Sequence, residues 1–216
     1  MQVSRAIDRL KEADPILIPL IEQYAPYPFH TRQTPNQQDE VFSGLAKAIL
    51  YQSISIKAAN TVYARLLRLY PDQPFPGALD LLNTPEATLQ SIGLPLFKVR
   101  YLQVLAHASL TGLPSLEQLS QMEDEAIIRR LTQLKGIGRW SVQMLLIFQL
   151  KRLDVLPVAD LGIRAAIRDL YHLDALPNQP VVEAIGAKWQ PYRTVACWYL
   201  WQSRDEAARN LLQAWS

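Results

Sequence analysis

The stretch Leu134-Lys135-Gly136-Ile137-Gly138-Arg139-Trp140 contains two glycines separated by one residue. Apolar residues recur at helical spacing on both sides of it, so the pattern predicts one helix that ends near Leu134 and another that begins near Arg139. Glycine suits such a turn because it adopts backbone conformations that are costly for residues with a Cβ atom. The first amides of the second helix, with Lys135 and Arg139 beside them, favour a phosphate. A plain helix end is the alternative interpretation.

Helical spacing continues in both directions from this hairpin, as in Phe42, Leu45 and Ile49, whereas strict alternation of strand length is hard to find. The chain therefore predicts an all-α fold with about ten helices. Capping residues predict helix starts at Ser4, Ser55 and Thr84, and glycines predict helix ends at Gly93 and Gly112.

A proline-containing segment without helical period, Leu153 to Ala159, predicts a crossover between two lobes. The first lobe covers about 40–150 and contains the hairpin at 134–140. The second combines 1–39 with 151–216.

Charge is unevenly distributed along the chain, although the net charge is only +2. The segment 126–168 has eight basic residues against two acidic ones, which makes it +6 and leaves the remainder at −4. Such asymmetry is typical of a polyanion-binding face on an acidic body. Solvated basic helix faces are the alternative.

Composition excludes several kinds of site. The one cysteine, Cys197, cannot form an intramolecular disulfide, a Cys-rich zinc site or a four-thiolate iron–sulfur cluster, and we interpret it as a buried core thiol. His30, His107 and His172 show no metal-ligand spacing, so no zinc is expected.

Location is also predicted from composition. The longest apolar stretch, near 144–148, is far shorter than the roughly 20 residues of a membrane span, and the N-terminus does not resemble a secretory signal. We expect an intracellular protein without a membrane anchor, in the cytoplasm or nucleoid of a bacterium or the nucleus of a eukaryote.

Twenty residues beyond Trp140, the segment Pro157-Val158-Ala159-Asp160-Leu161-Gly162-Ile163-Arg164 places one acidic residue at the start of an apolar-periodic helix. Asp160 is either an N-cap, which is the commoner role of such a residue, or a catalytic carboxylate.

Together, the hairpin and this aspartate resemble the helix–hairpin–helix (HhH-GPD) DNA glycosylases, specifically their 3-methyladenine DNA glycosylase II (AlkA/Mag) branch. The resemblance extends from Ala48-Ile49-Leu50-Tyr51-Gln52 to about Trp201. It implies one glycosylase unit over 1–216, an all-α two-lobed fold with the active site in a cleft between the lobes, and removal of alkylated purines from double-stranded DNA by a monomer.

The resemblance also implies roles for individual residues. Asp160 would be the catalytic carboxylate, and Trp140, Tyr192 and Met144 would line the base pocket. Bifunctional relatives carry a lysine immediately after the Gly-Arg of the hairpin, because an amine is needed for a Schiff base with the sugar. Here that residue is Trp140, so we expect a monofunctional enzyme that leaves an intact abasic site.

DNA contacts are implied at two places. The hairpin residues Lys135, Gly136, Ile137, Gly138 and Arg139 would bind the backbone, and Gln52 and Ser53 would lie in the loop from which the family inserts a side chain into the duplex. Ser53 is small for that purpose, so Gln52 or Ile54 is an alternative.

No cofactor is required by the resemblance, although backbone carbonyls of Thr132, Leu134 and Ile137 would be ligands of a hairpin Na⁺ or K⁺. Two other functions remain open at this point. They are a non-catalytic hairpin module that only binds DNA, and a glycosylase-lyase that uses Lys135 or Lys151.

Overall fold

The computed structural model describes residues 2–24, 26 and 40–204. Within these ranges the chain forms thirteen α-helices and two short 3₁₀ helices, with no β-strand, which confirms the predicted all-α class. Contacts divide the chain into two compact units, which we call the central unit (described residues 40–150) and the terminal unit (2–24, 26 and 151–204). No described helix is long and apolar enough to cross a membrane.

The central unit contains eight helices in its described residues. They are α3 (Glu40–Tyr51), α4 (Ile56–Leu69), α5 (Ala78–Asn83), α6 (Glu86–Ser91), α7 (Leu96–Thr111), α8 (Leu116–Ser120), α9 (Asp124–Leu131) and α10 (Arg139–Phe148).

The terminal unit has five described α-helices and both 3₁₀ helices. The α-helices are α1 (Gln2–Ala13), α2 (Ile18–Gln23), α11 (Leu161–Leu170), α12 (Gln179–Gly186) and α13 (Arg193–Gln202), and the 3₁₀ helices are Pro15–Leu17 and Ala187–Trp189.

The core of the central unit is built around α10, which packs on α3, and α3 in turn packs on α7. Every residue from Ser141 to Phe148 is buried, so α10 is covered on all sides rather than along one stripe. The hairpin therefore leads directly into the most buried helix of its unit.

Helix boundaries agree with the capping residues in part. Ser55 caps α4 by accepting a hydrogen bond from the Ala58 amide, and Gly93 and Gly112 end α6 and α7 with positive φ, as predicted. The predicted start at Thr84 is wrong, because Pro85 is the N-cap of α6 and the Thr84 hydroxyl donates back to the carbonyl of Asp80. The start at Ser4 is also wrong, since α1 begins at Gln2.

The crossover of the terminal unit contains no regular helix between Leu153 and Ala159, as predicted. It is fixed to the start of α13 by an ion pair between Arg193 and Asp154, at 2.7 Å from Nε to Oδ1. The Val155 amide also donates to the Thr194 hydroxyl at 3.0 Å. These bonds anchor the chain immediately before Asp160.

A buried carboxylate links the N-terminal segment to the rest of the terminal unit. Asp14 is 1% exposed and accepts hydrogen bonds from the Trp189 indole (2.7 Å) and the Tyr171 hydroxyl, and it pairs with the Lys188 ammonium at 3.1 Å. A buried charge is tolerated only when partners of this kind satisfy it.

We predict that Asp14→Ala lowers the free energy of unfolding by about 3 kcal/mol, because it leaves buried donors without an acceptor. Urea unfolding followed by tryptophan fluorescence measures the change. Asp8→Ala, at an exposed position of α1, is the matched control and should change it by less than about 0.5 kcal/mol. Equal effects of the two substitutions would contradict a stabilising role for the Asp14 cluster.

Candidate nucleic-acid interface and active site

The predicted hairpin joins α9 to α10 within the central unit. Its turn is closed by hydrogen bonds from the Leu134 amide to the Leu131 carbonyl (3.1 Å) and from the Ile137 amide to the Leu134 carbonyl (3.0 Å). Gly138 is the N-cap of α10 and has no side chain to accept a bond from the first amides of that helix. The hairpin thus has the geometry on which the phosphate-binding interpretation depends.

The two hairpin glycines differ in how strictly they are required. Gly136 has a φ of +94°, and a Cβ atom built there would come within 2.3 Å of the Tyr101 side chain. A Cβ atom at Gly138 would meet nothing within 4 Å. Close approach of the Tyr101 side chain therefore explains why glycine is required at position 136, whereas no such contact requires glycine at position 138.

Gln52 connects the end of α3 to the hairpin. Its side-chain amide donates to the carbonyl of Gly136 at 3.0 Å and to the hydroxyl of Ser141 at 2.6 Å. These bonds hold the amide inside the central unit, which argues against Gln52 as the side chain inserted into a duplex. Ser53 is exposed with a φ of +57°, and Ile54 beside it is 40% exposed.

The two basic side chains of the hairpin have different surroundings. Lys135 is exposed, whereas Arg139 pairs with Glu125 of α9, with Nη1 3.1 Å from Oε2. The hydrogen bond from Arg139 lowers the pKa of Glu125. Because Glu125 lies one residue before the segment counted as +6, that count overstates the positive charge presented near the hairpin.

Further basic residues lie beside Lys135. An open depression of about 490 Å³ is lined by Arg100 and His107 of α7, by Lys135 and by Tyr101, together with Leu82, Gln103 and Val104. Sequence reasoning missed Arg100 and His107 because they are distant from the hairpin in the chain. Their helical spacing of seven residues places them on one face of α7.

Two predicted pocket residues belong to α10. Trp140 is the second residue of this helix and is partly exposed, and Met144, four residues later, is buried. The spacing puts both on one face of the helix.

Asp160, the predicted catalytic residue, is partly exposed in the terminal unit and is the N-cap of α11. Its Oδ1 atom accepts the Ile163 amide at 2.8 Å and the Trp201 indole nitrogen at 3.0 Å. Gly162 leaves room for this arrangement, since a Cβ atom there would lie 3.1 Å from the same oxygen and 3.3 Å from the Trp201 ring.

The indole of Trp201 is therefore a functional candidate that sequence reasoning missed. It lies 41 residues from Asp160 in the chain, on a helix that is buried almost throughout, and its pattern is that of core packing. Gly162, two residues after Asp160, is the feature of the local sequence that indicates a side chain packed closely against this turn.

The other pocket candidate of the terminal unit, Tyr192, precedes α13 directly after the cis peptide Gln190–Pro191 and is partly exposed. Cys197 is fully buried, as predicted, and this burial raises the pKa of its thiol well above the ordinary value, with a further contribution from the charge of Asp160. A thiol held in its neutral form is a poor nucleophile.

The described residues contain no group of three or more His, Cys, Asp or Glu side chains that could hold a metal ion, and His30 lies outside them.

Comparison with known proteins identifies the family. The model of the HhH-GPD superfamily base excision DNA repair proteins matches residues 46–191, which is more than half of the chain and includes the hairpin and Asp160. The chain belongs to this superfamily. The resemblance seen in the hairpin and in the segment around Asp160 is thereby confirmed.

Individual relatives of this HhH-GPD protein support the same family assignment. DNA-3-methyladenine glycosylase 1 of Schizosaccharomyces pombe is 36% identical over 168 residues, which cover 77% of this chain and 74% of the relative. The alkylbase DNA glycosidase-like protein mag2 of the same organism is 30% identical over 171 residues, covering 78% and 80%. The solved structure of S. pombe 3-methyladenine DNA glycosylase (Mag1) in complex with abasic DNA has a TM-score of 0.80 at 32% identity, covering 94% and 98%.

We predict that Gly136→Ala lowers the free energy of unfolding by about 3 kcal/mol or more, through left-handed strain and collision with Tyr101. Gly138→Ala is the matched control and should cost under about 1 kcal/mol. Chemical denaturation of both variants measures the difference. Similar losses at the two positions would show that the Tyr101 contact does not constrain the hairpin.

We predict opposite effects of two charge changes on binding to undamaged duplex DNA. Lys135→Ala should reduce the magnitude of the slope of log affinity against log salt by about one, as expected for one lost phosphate contact. Glu125→Gln should raise affinity about two- to fivefold at low salt, because it releases Arg139 from an exposed ion pair. Glu86→Gln, on the exposed surface of α6, is the charge-matched control. An unchanged slope for Lys135→Ala would mean that this side chain contacts no phosphate.

Proposed function

We propose that this chain is a monofunctional glycosylase that hydrolyses the N-glycosidic bond of alkylated purines in double-stranded DNA and leaves an abasic site. The observation that carries the proposal is the carboxylate of Asp160, held by the Ile163 amide and the Trp201 indole within a chain of the HhH-GPD superfamily. Relatives named for 3-methyladenine support the substrate class, and the abasic DNA bound to Mag1 supports DNA as the partner.

The chemistry requires stabilisation of a cationic sugar. As the base leaves, positive charge moves onto the deoxyribose, and a fixed carboxylate beside the sugar stabilises that charge more than it stabilises the uncharged sugar of the bound substrate. The base leaves with the bonding electrons and becomes neutral, water then adds to the cationic sugar carbon, and the proton that this water loses passes to solvent. The bonds to Oδ1 hold Asp160 in one orientation, so the carboxylate does not have to reorganise during the reaction.

Alkylation supplies part of the driving force. A purine alkylated at N3 or N7 is already cationic and is a good leaving group, and an aromatic side chain attracts such a cation by about 0.5–2 kcal/mol. We assign this role to Trp140, with Met144 and Tyr192 as further pocket residues. The target base must leave the duplex stack first, at a cost of a few kcal/mol that is smaller for a damaged base.

We propose a monomer acting inside the cell where its DNA is, with no required cofactor. Carbonyls of Thr132, Leu134 and Ile137 are the candidate ligands for a monovalent cation at the hairpin. The Leu134 carbonyl also accepts the Ile137 amide at 3.0 Å, which leaves it one lone pair for an ion.

We predict that Asp160→Asn lowers single-turnover release of 7-methylguanine or 3-methyladenine from methylated duplex by at least about 10²-fold, on the order of 3 kcal/mol. Asparagine is as good an N-cap as aspartate and its amide oxygen can accept the same two bonds, so the variant loses charge and keeps the fold. Binding to abasic duplex should persist.

Asp169→Asn is the matched control, since it makes the same chemical change at an exposed position of the same helix, and it should release bases normally. Near-normal release by Asp160→Asn would leave Asp160 with the N-cap role alone.

We predict that borohydride traps no covalent adduct between the unmodified chain and DNA that contains an abasic site or an alkylated purine. Trp140 stands where a bifunctional enzyme carries the amine needed for a Schiff base. A known glycosylase-lyase run in parallel shows that trapping works under the same conditions. An adduct with this chain would overturn the monofunctional assignment, and Lys135 and Lys151 would then be the candidates for the reactive amine.

A further inference from the structure

Lys98 is a buried cation that the proposed reaction does not use. It lies in the first turn of α7, and it is 2% exposed. Its ammonium donates to two backbone carbonyls, those of Leu50 at 2.8 Å and Gln52 at 2.7 Å. Lysine is rarely buried to this extent unless its donors are satisfied.

The two carbonyls explain why the charge is tolerated there. They belong to the end of α3, where the last carbonyl groups of a helix have no partner within the helix and carry the negative end of its dipole. Burial lowers the pKa of Lys98 to about 8, and a neutral amine still has two hydrogens to donate to the two carbonyls. The side chain therefore caps α3 at the point where Ser53 turns the chain with a φ of +57°.

Gln52 extends this contact to the hairpin. Its backbone carbonyl is bound by Lys98, while its side chain donates to the Gly136 carbonyl and to the Ser141 hydroxyl. Tyr101, three residues after Lys98 on the same side of α7, lies against Gly136. One helix thus supports both the segment 52–55 and the hairpin, and Gln52 joins the two directly.

We propose that Lys98 is a positioning residue that fixes the segment 52–55 relative to the hairpin, so that both meet the same DNA duplex in one arrangement. This inference rests on the proposed function for its consequence on base release, and on the contacts of the central unit for its structural part. Lys98 itself is buried beneath the segment and is not assigned a contact with DNA.

The test compares four variants with the unmodified chain. Lys98→Met removes the donor and keeps the length of the side chain, and Gln52→Ala cuts the link to the hairpin at a partly exposed residue. The double variant combines them. Leu119→Ala, at a fully buried position of α8 in the same unit, controls for a general loss of stability.

The first measurement is single-turnover release of 7-methylguanine from methylated duplex at saturating protein. We expect Lys98→Met to lower the rate at least tenfold, Leu119→Ala to lower it less than twofold, and the double variant to lie within about twofold of the slower single variant, because both changes break one connection. Equal rates for Lys98→Met and Leu119→Ala, or effects of Lys98→Met and Gln52→Ala that multiply, would overturn the inference. Absence of 7-methylguanine release by the unmodified chain would instead overturn the proposed function.

The second measurement is amide hydrogen exchange in the free protein, which needs no activity. Lys98→Met and Gln52→Ala should each speed exchange in both the segment 52–55 and the segment 136–138 of the hairpin, whereas Leu119→Ala should not. Gln52→Ala provides this readout even where Lys98→Met does not fold. Faster exchange confined to the segment 52–55 would show that Lys98 caps α3 without positioning the hairpin, and the proposal would fail.

Discussion

A Cβ atom on Gly136 would lie 2.3 Å from the Tyr101 side chain, and this close approach leaves the hairpin backbone no room for a larger residue at that position. The same glycine has a positive φ and offers its carbonyl to Gln52, so two contacts and one backbone conformation fix this residue. Because the hairpin leads into α10, whose residues from Ser141 onward are buried, a shift at Gly136 would be transmitted into the core of the central unit. The surface that we propose to contact DNA phosphates is thereby built on rigid packing.

The hydrogen bonds of Asp160 satisfy a structural rule and are also compatible with the catalytic role that we propose for it. Its side chain caps α11, which is the commonest role of an aspartate at that position, and the same oxygen accepts the Trp201 indole. A carboxylate with two donors on one oxygen is held more firmly than a cap alone would hold it. The N-cap interpretation and the catalytic interpretation are consequently compatible, and their difference lies in the charge rather than in the hydrogen bonds.

Much of the fold and part of the site could be predicted from local patterns. Helical spacing, the Gly136-Ile137-Gly138 turn and the aspartate ahead of an apolar helix are short-range signals, and they predicted the class, the hairpin and the cap. The contacts of Tyr101, Trp201 and Lys98 could not be predicted, because each joins segments that are distant in the chain. Glu125 was missed for another reason, since the charge count began one residue after it. Thr84 misled because a hydroxyl can serve the helix before it as well as the helix after it.

The most direct test of the central claim is the stoichiometry of the reaction on methylated duplex DNA. Released methylpurines are counted by chromatography, and strand breaks in the same samples are counted before and after treatment with alkali. The account predicts one alkali-labile site for each base released and no breaks before alkali, because a carboxylate and water remove the base without a lysine adduct. Breaks that appear with base release and without alkali, or an absence of released bases, would contradict it.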